Sequence, residues 1–182
     1  MNNGKGFLRA GAIIFASVFL FFNLAQSKTE KQAVNDQGYN EISAEGITLQ
    51  WKISDSLLEV IVSAPTDGWV AVGFDPSSLM KDANIIIGFI RDGDPEIRDD
   101  FGSWYTSHDS DESLGGSNDV IIRGGSESGK KTEFAFALPL DSGDPNDRAL
   151  VEGKTYSVIL AYGTVDDFST RHKKRTRVEI TL

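Results

Sequence analysis

Two side chains that can bind iron lie far apart in this sequence. Met80 follows the strand-like run at residues 68–74, and His172 follows a second such run at 156–163. Apart from the initiator Met1, Met80 is the only methionine, and His172 is one of two histidines. A thioether and an imidazole form one of the axial pairs that hold haem iron in electron-transfer cytochromes. If the loops that carry Met80 and His172 lie at one end of a β-sandwich, they can clamp a b-type haem there.

A haem at this position needs an apolar slot, with cations near its two propionates. Bulky apolar side chains predicted to form the slot are Trp69, Phe74, Ile85, Ile87, Tyr162 and Phe168. Basic residues beside His172 that can pair with the propionates are Arg171, Lys173, Lys174 and Arg175. Because Met80 and His172 fill both axial positions, the predicted chemistry is electron transfer, with no open site for oxygen or substrate.

The absence of cysteine excludes several classes of cofactor. Covalent c-type haem requires a C-x-x-C-H motif, and iron–sulfur clusters and thiolate zinc sites require cysteine ligands. The predicted cofactor is therefore non-covalent haem b, with Met80 and His172 as the metal ligands. The sequence contains no G-x-S-x-G elbow and no phosphate-binding glycine motif, so we predict no catalytic residues and no enzyme activity of its own.

Other interpretations of these residues remain open. A lone methionine in a β-protein is commonly a packing residue, and a basic run such as 171–177 is commonly a solvated face. His108 lies in an acidic, Ser-rich stretch and is predicted to be exposed. Two acidic runs are alternative Ca²⁺ ligands, although neither has EF-hand spacing: Asp92, Asp94 and Glu96, and Asp109, Asp111 and Glu112.

Short β-like runs separated by turn signals recur from Glu41 onward. The run at 47–53 alternates, with Ile47, Leu49, Trp51 and Ile53 on one face, and Asp67-Gly68 marks a turn. Residues 108–118 are polar and are predicted to form a long loop. Because no stretch has a long helical period with caps, the sequence predicts an all-β fold with few helices. We expect an immunoglobulin-like antiparallel β-sandwich of about nine to eleven strands.

The first 27 residues differ from the rest of the chain. Lys5 and Arg9 precede an uncharged stretch at 10–26, and Ala25-Gln26-Ser27 has the form of a signal peptidase site. We predict a signal peptide at 1–27, or alternatively an N-terminal anchor, followed by a linker at 28–40 and one domain at 41–182. The protein is then exported to the periplasm or the extracellular space, and stays tethered to the membrane if the segment is not cleaved.

Cleavage after residue 27 leaves 16 Lys and Arg against 27 Asp and Glu, which is a net charge of −11. Such a surface repels nucleic acid and anionic lipid headgroups, and attracts a soluble partner with a basic patch. We therefore expect no nucleic-acid partner and no stable membrane insertion after cleavage.

The order of several segments resembles the DOMON family. They are GWVAVGF at 68–74, Met80 leading into DANIIIGFI at 82–90, GGSNDV at 115–120, FALPLDSGDPND at 136–147 and LAYGTVDDFSTRH at 160–172. That family includes the haem domain of cellobiose dehydrogenase and the N-terminal domain of dopamine β-monooxygenase. The resemblance covers residues 41–182 and implies a β-sandwich whose haem-binding members use a Met and a His that match Met80 and His172.

The resemblance also implies how such a domain works. The expected function is an exported b-type cytochrome domain that exchanges electrons with a separate redox protein or membrane cytochrome. Because the family also has members that bind sugars or other ligands, the alternative is a non-haem, carbohydrate-type binding module. Exposed aromatic residues such as Trp104 and Tyr105 would then stack on sugar rings.

Overall fold

The structure, a computed structural model, describes Met1 and residues 32–182, and this part of the chain is almost entirely β-structure. Its twelve strands are β1 (Ala33–Val34), β2 (Asn40–Ala44), β3 (Ile47–Ser54), β4 (Leu57–Ala64), β5 (Val70–Phe74), β6 (Asn84–Arg91), β7 (Asp94–Trp104), β8 (Ser107–Ser110), β9 (Ile121–Ser128), β10 (Lys131–Pro139), β11 (Thr155–Tyr162) and β12 (Lys174–Thr181). One 3₁₀ helix, Asp111–Leu114, follows β8.

The strands form two antiparallel sheets of six strands each. The first sheet has the order β1-β2-β3-β4-β10-β9, and the second has the order β12-β11-β5-β6-β7-β8. This arrangement confirms the predicted antiparallel β-sandwich. The described residues contain more strands than expected because β1 has only two residues and β8 lies in the stretch predicted to be a loop.

Strand alternation builds the main core between the two sheets. From the first sheet, Trp51 and Phe136 are fully buried in this core, and from the second sheet Val72, Ile86 and Leu160 meet them. In β3, β4, β10 and β11 alternate residues contribute to the core, so the residues between them point outward.

The outward positions of the second sheet form a separate apolar cluster. It contains Ala71 of β5, Ile85 and Ile87 of β6, and Trp69, with Ile159 of β11 packed against it. When a sheet is apolar on both faces, its outer face must be covered by loops or by a ligand. This second cluster is the floor of the candidate site.

The predicted N-terminal segments are only partly described. The signal-peptide segment at 1–27 lies, except for Met1, outside the described residues. Within the predicted linker at 28–40, β1 pairs with β2 in the register Ala33 to Glu41, so part of this segment belongs to the first sheet. Among the described residues, no helix has the length and apolar character needed to cross a membrane.

Candidate cofactor site

A cleft with a volume of about 670 Å³ lies on the outer face of the second sheet. This volume falls within the range of about 300–1,000 Å³ that is common for small-molecule and cofactor sites. Apolar side chains of the sheet form its floor, and polar and basic residues of the surrounding loops form its rim. Its lining includes Trp69, Ala71, Gly73, Met80, Ile85, Ile87, Tyr105, His108, Ile159, Ala161, Arg171, His172, Arg175 and Arg177.

Small residues of β5 keep the floor flat. Ala71 and Gly73 are consecutive outward positions of this strand. A methyl group at Gly73 would lie 2.8 Å from Cγ1 of Ile159 and 3.1 Å from Cγ1 of Ile85. The isoleucines of the two neighbouring strands therefore close over Gly73 and present a continuous apolar surface. A planar apolar ligand fits such a surface.

The loop between β5 and β6 places Met80 at one side of the cleft. The backbone N–H of Met80 donates to the carbonyl oxygen of Tyr105 at 3.3 Å, and the Met80 carbonyl accepts from Ala83 N–H at 3.1 Å. Gly102 packs so closely that a methyl group there would lie 1.7 Å from the Met80 carbonyl oxygen. The Met80 backbone is therefore held between two segments, and its half-buried side chain lines the cleft.

The loop between β11 and β12 places His172 in the same cleft. Trp69 Nε1–H donates to Thr170 Oγ1 at 3.0 Å, and Lys173 N–H donates to the Tyr162 carbonyl at 2.8 Å, so both sides of His172 are held. Partial burial lowers the pKa of His172, and the charges of Arg175 and Arg171 lower it further. A neutral imidazole has a free ring nitrogen, which is the form that binds metal ions.

Arginine side chains border the cleft on the side of β12. Arg175 and Arg177 lie opposite Ala161 and Ile159 of β11 in the strand register, so they are on the outer face of the sheet, which carries the cleft. Arg177 also donates to the Leu79 carbonyl at 3.2 Å, which ties β12 to the Met80 loop. With Arg171, these side chains give the cleft a positive border in an otherwise acidic protein.

Most of the predicted site residues meet in this cleft, but Phe74, Tyr162, Phe168, Lys173 and Lys174 do not line it. Met80, His172, Trp69, Ile85, Ile87, Arg171 and Arg175 all line it. Phe74 and Tyr162 instead lie in the core between the sheets, where they are 1% and 7% exposed. Strand alternation is the reason, because their neighbours Gly73 and Ala161 take the outward positions. The cleft also lies over the face of a sheet and not at an end of the sandwich.

Phe168, also predicted to form the slot, lies beside the cleft. Its ring packs against Phe89 at a centroid distance of 4.7 Å, and the Arg98 guanidinium lies 4.5 Å from the Phe168 ring centroid. Phe168 thus extends the apolar cluster of the outer face toward β7.

His108 is a cleft residue that the sequence prediction missed. It was predicted to be exposed, yet its side chain is only 18% exposed and its Nδ1 contacts the fully buried carboxylate of Asp100. Arg98 Nη2 donates to the same carboxylate at 2.7 Å. Burial raises the pKa of Asp100, but the hydrogen bonds from His108 and Arg98 outweigh burial and hold that pKa below its ordinary value. The β7–β8 hairpin creates this contact. The sequence did not predict that hairpin, because β8 has no alternating apolar residues.

Comparison with known proteins supports the fold. The profile of the DOMON domain matches residues 43–163, which include Met80 but not His172. The chain is 28% identical over 114 residues to mouse DBH-like monooxygenase protein 1 and 26% identical to the human protein. Each alignment covers 63% of this chain and only 18% of the relative's length.

Two solved structures share the fold. The cytochrome b domain of pyranose dehydrogenase from Coprinopsis cinerea superposes with a TM-score of 0.61 at 12% identity, covering 84% of this chain and 87% of that one. The cytochrome domain of Myriococcum thermophilum cellobiose dehydrogenase gives a TM-score of 0.61 at 11% identity, covering 85% and 88%. Because the family profile matches more than half of its 182 residues, the chain belongs to the DOMON domain family.

Proposed function

We propose that this DOMON domain is an exported b-type cytochrome domain that binds one non-covalent haem and exchanges electrons with a separate redox partner. One observation carries the proposal. Met80 and His172 come from loops that are far apart in sequence, and both line the same apolar cleft. The likeness of the fold to two cytochrome domains supports it.

The residues of the cleft fit haem b in three respects. The floor made by Ala71, Gly73, Ile85 and Ile159 is apolar and flat, as a macrocycle requires. The soft thioether of Met80 and the imidazole of His172, both in the lining, would hold the haem iron. A bound haem supplies a one-electron carrier, and with both axial positions occupied it has no position for substrate. In this proposal the domain has no catalytic centre of its own.

The rim residues have a separate role in the proposal. Arg171, Arg175 and Arg177 hold the two propionates by charge-assisted hydrogen bonds, which also fixes the orientation of the haem. Trp69 does not bind iron but holds Thr170, two residues before His172. The acidic remainder of the surface steers a partner with a basic patch, and this association weakens as salt is added. A separate redox protein or a membrane cytochrome is the expected partner.

A specific observation also favours a second candidate, which is carbohydrate binding. Trp104 is 58% exposed at the end of β7, and its ring meets Tyr105 edge-on at a centroid distance of 5.1 Å. Exposed aromatic faces of this kind stack on sugar rings. Tyr105 also lines the cleft, so a glycan on this aromatic pair would lie beside the apolar floor.

The experiment that tests the proposal is an absorption spectrum of the purified protein reconstituted with haem, oxidised and then reduced. The expected result is a sharp Soret band with resolved α and β bands on reduction, as a six-coordinate haem gives. A spectrum identical to that of free haem would reject the cytochrome proposal. Retention on polysaccharide columns would then be measured for the same sample, because it tests the second candidate directly.

A further inference from the structure

A cluster of carboxylates lies at the end of the sandwich where loops of the two sheets meet. Asp99 belongs to β7, Asp119 precedes β9, and Asp147 follows β10. One carboxylate oxygen from each of these three residues lies within 4.8 Å of the other two. Oxygen ligands of one Ca²⁺ ion, each about 2.3–2.6 Å from it, are separated by distances of this size.

Buried oxygen atoms without a partner lie in and near this cluster. Asp99 is 1% exposed, and its Oδ1 accepts no hydrogen bond. Asp111 is also 1% exposed, and neither of its carboxylate oxygens has a partner. Asn84 donates from Nδ2 to Asp147 Oδ1 at 2.5 Å, which places its unpartnered Oδ1 next to the cluster. A buried polar atom without a partner costs about 1–3 kcal/mol, and a charged one more, so these atoms need a partner such as a bound cation or an ordered water.

The part of the chain that the structure describes provides no basic partner for these carboxylates. Among the described residues, no ion pair joins Asp99, Asp111, Asp119 or Asp147 to a basic side chain. Arg148 follows Asp147 but donates to the carbonyl of Asp82 instead. Burial, together with the charges of Asp147 and Asp144, raises the pKa of Asp111 to about 7, as expected for carboxylates that repel one another.

We propose that this acidic cluster is a Ca²⁺ site that joins the two sheets. Its ligands are the carboxylates of Asp99, Asp111, Asp119 and Asp147 and the side-chain carbonyl of Asn84. All the donors are oxygens, and neither histidine nor cysteine is among them, which selects a hard cation over Zn²⁺. Four carboxylates and one carbonyl suit the six to eight oxygens of Ca²⁺, whereas Mg²⁺ keeps several waters and binds few carboxylates.

Hydrogen bonds from neighbouring residues orient the proposed ligands. Ser142 Oγ donates to Asp147 Oδ2 at 2.5 Å, Ser117 Oγ donates to Asp119 Oδ2 at 3.0 Å, and the Asp119 N–H donates to Asp99 Oδ2 at 3.1 Å. These bonds hold one oxygen of each carboxylate. In Asp99 the other oxygen, Oδ1, has no hydrogen-bond partner, whereas in Asp147 the other oxygen, Oδ1, accepts from Asn84 Nδ2. Such supporting hydrogen bonds are a regular feature of metal sites, because they fix the direction of each ligand.

The position of the site indicates a structural role. Asn84 and Asp99 belong to β6 and β7 of the second sheet, whereas Asp119 precedes β9 of the first sheet and Asp147 lies in the loop that joins β10 of the first sheet to β11 of the second. An ion bound by all four links loops that otherwise repel one another. Since the unfolded chain does not hold these ligands together, Ca²⁺ binds the folded state and stabilises it by mass action.

The test is thermal unfolding of the purified full chain, without haem, in EGTA and then in excess CaCl₂ or MgCl₂. Calcium at about one hundred times its dissociation constant is expected to raise the melting temperature by about 5–10 °C. Calorimetric titration of the EGTA-treated protein should give one site per chain. No shift with CaCl₂ would overturn the proposal, and an equal shift with MgCl₂ at the same concentration would overturn the assignment to Ca²⁺.

Substitutions in the cluster show whether it is a metal site or an acidic cluster that binds no ion. Asp99→Asn and Asp147→Asn are each expected to remove most of the calcium-induced shift. In EGTA they should melt no lower than the parent protein, since each removes a repelling charge. Asp94→Asn, which alters the exposed carboxylate of the first residue of β7, is the matched control and should keep the full shift. Retention of the shift in both cluster variants would contradict the assignment of the ligands.

Discussion

The outer faces of the two sheets differ although the sheets are built in the same way. The outer face of the first sheet is polar, with Gln50 of β3 and Glu133 of β10 in a groove of about 500 Å³. On the second sheet the equivalent positions of β5, β6 and β11 carry Gly, Ala and Ile. The fold therefore provides two possible binding faces, and the outward residues determine which one accepts an apolar cofactor.

Loss of the imidazole ligand is expected to have the largest effect on haem binding by the outer face of the second sheet. His172→Ala should reduce haem retained after gel filtration to background, because a thioether alone binds haem iron weakly. His108→Ala is the matched control, since it removes the other histidine of the same cleft. Haem content would be measured from the pyridine haemochrome spectrum. Retention in His172→Ala together with loss in His108→Ala would instead assign the ligand to His108.

Loss of the thioether ligand is expected to have a smaller effect. Met80→Ala should keep haem through His172 but leave it five-coordinate, with a lower reduction potential, because a Met ligand raises the potential. The reduced spectrum and a redox titration would show this change. Leu79→Ala, at the adjacent lining residue, is the control and should keep a six-coordinate spectrum. An unchanged potential in Met80→Ala would remove Met80 from the site.

A pair of matched substitutions compares the two faces directly. Ile159 lies on the outer face of β11 and Ile61 on the outer face of β4, and both are half-buried in strands paired on both sides. Ile159→Gln should weaken haem binding about tenfold, since an amide against the macrocycle costs about 1–3 kcal/mol. Ile61→Gln should leave haem affinity unchanged. Equal losses measured by haem titration would show that the effect comes from stability and not from the cofactor face.

Strand periodicity explains how far the sequence alone predicts this fold. In β3, Ile47, Leu49 and Trp51 are fully buried on one face, as their alternation predicts. In β5, all five residues are buried, so apolar character does not distinguish the inward from the outward positions. For that reason Phe74 was assigned to the cleft, although it belongs to the core.

Long-range polar contacts could not be predicted from the sequence. The β8 segment SHDS has no apolar residue, so its pairing with β7, and with it the contact of His108 with Asp100, leaves no periodic signal. The members of the acidic cluster likewise come from separate strands and loops, without a fixed spacing. Of the two acidic runs that the sequence offers as Ca²⁺ ligands, only Asp111 is among the ligands proposed for this site.

The smallest expected effect concerns the exposed aromatic pair beside the cofactor face. Trp104→Ala removes a side chain that is 58% exposed and does not line the cleft, so haem affinity should change less than twofold. If the protein is a carbohydrate-binding module instead, the same variant should lose retention on polysaccharide columns, because the indole provides the stacking surface. Tyr105→Ala is the comparison, since Tyr105 lines the cleft and its ring meets Trp104. Unchanged glycan retention together with a large loss of haem in Trp104→Ala would contradict this division of the surface, because it would extend the cofactor face to the end of β7.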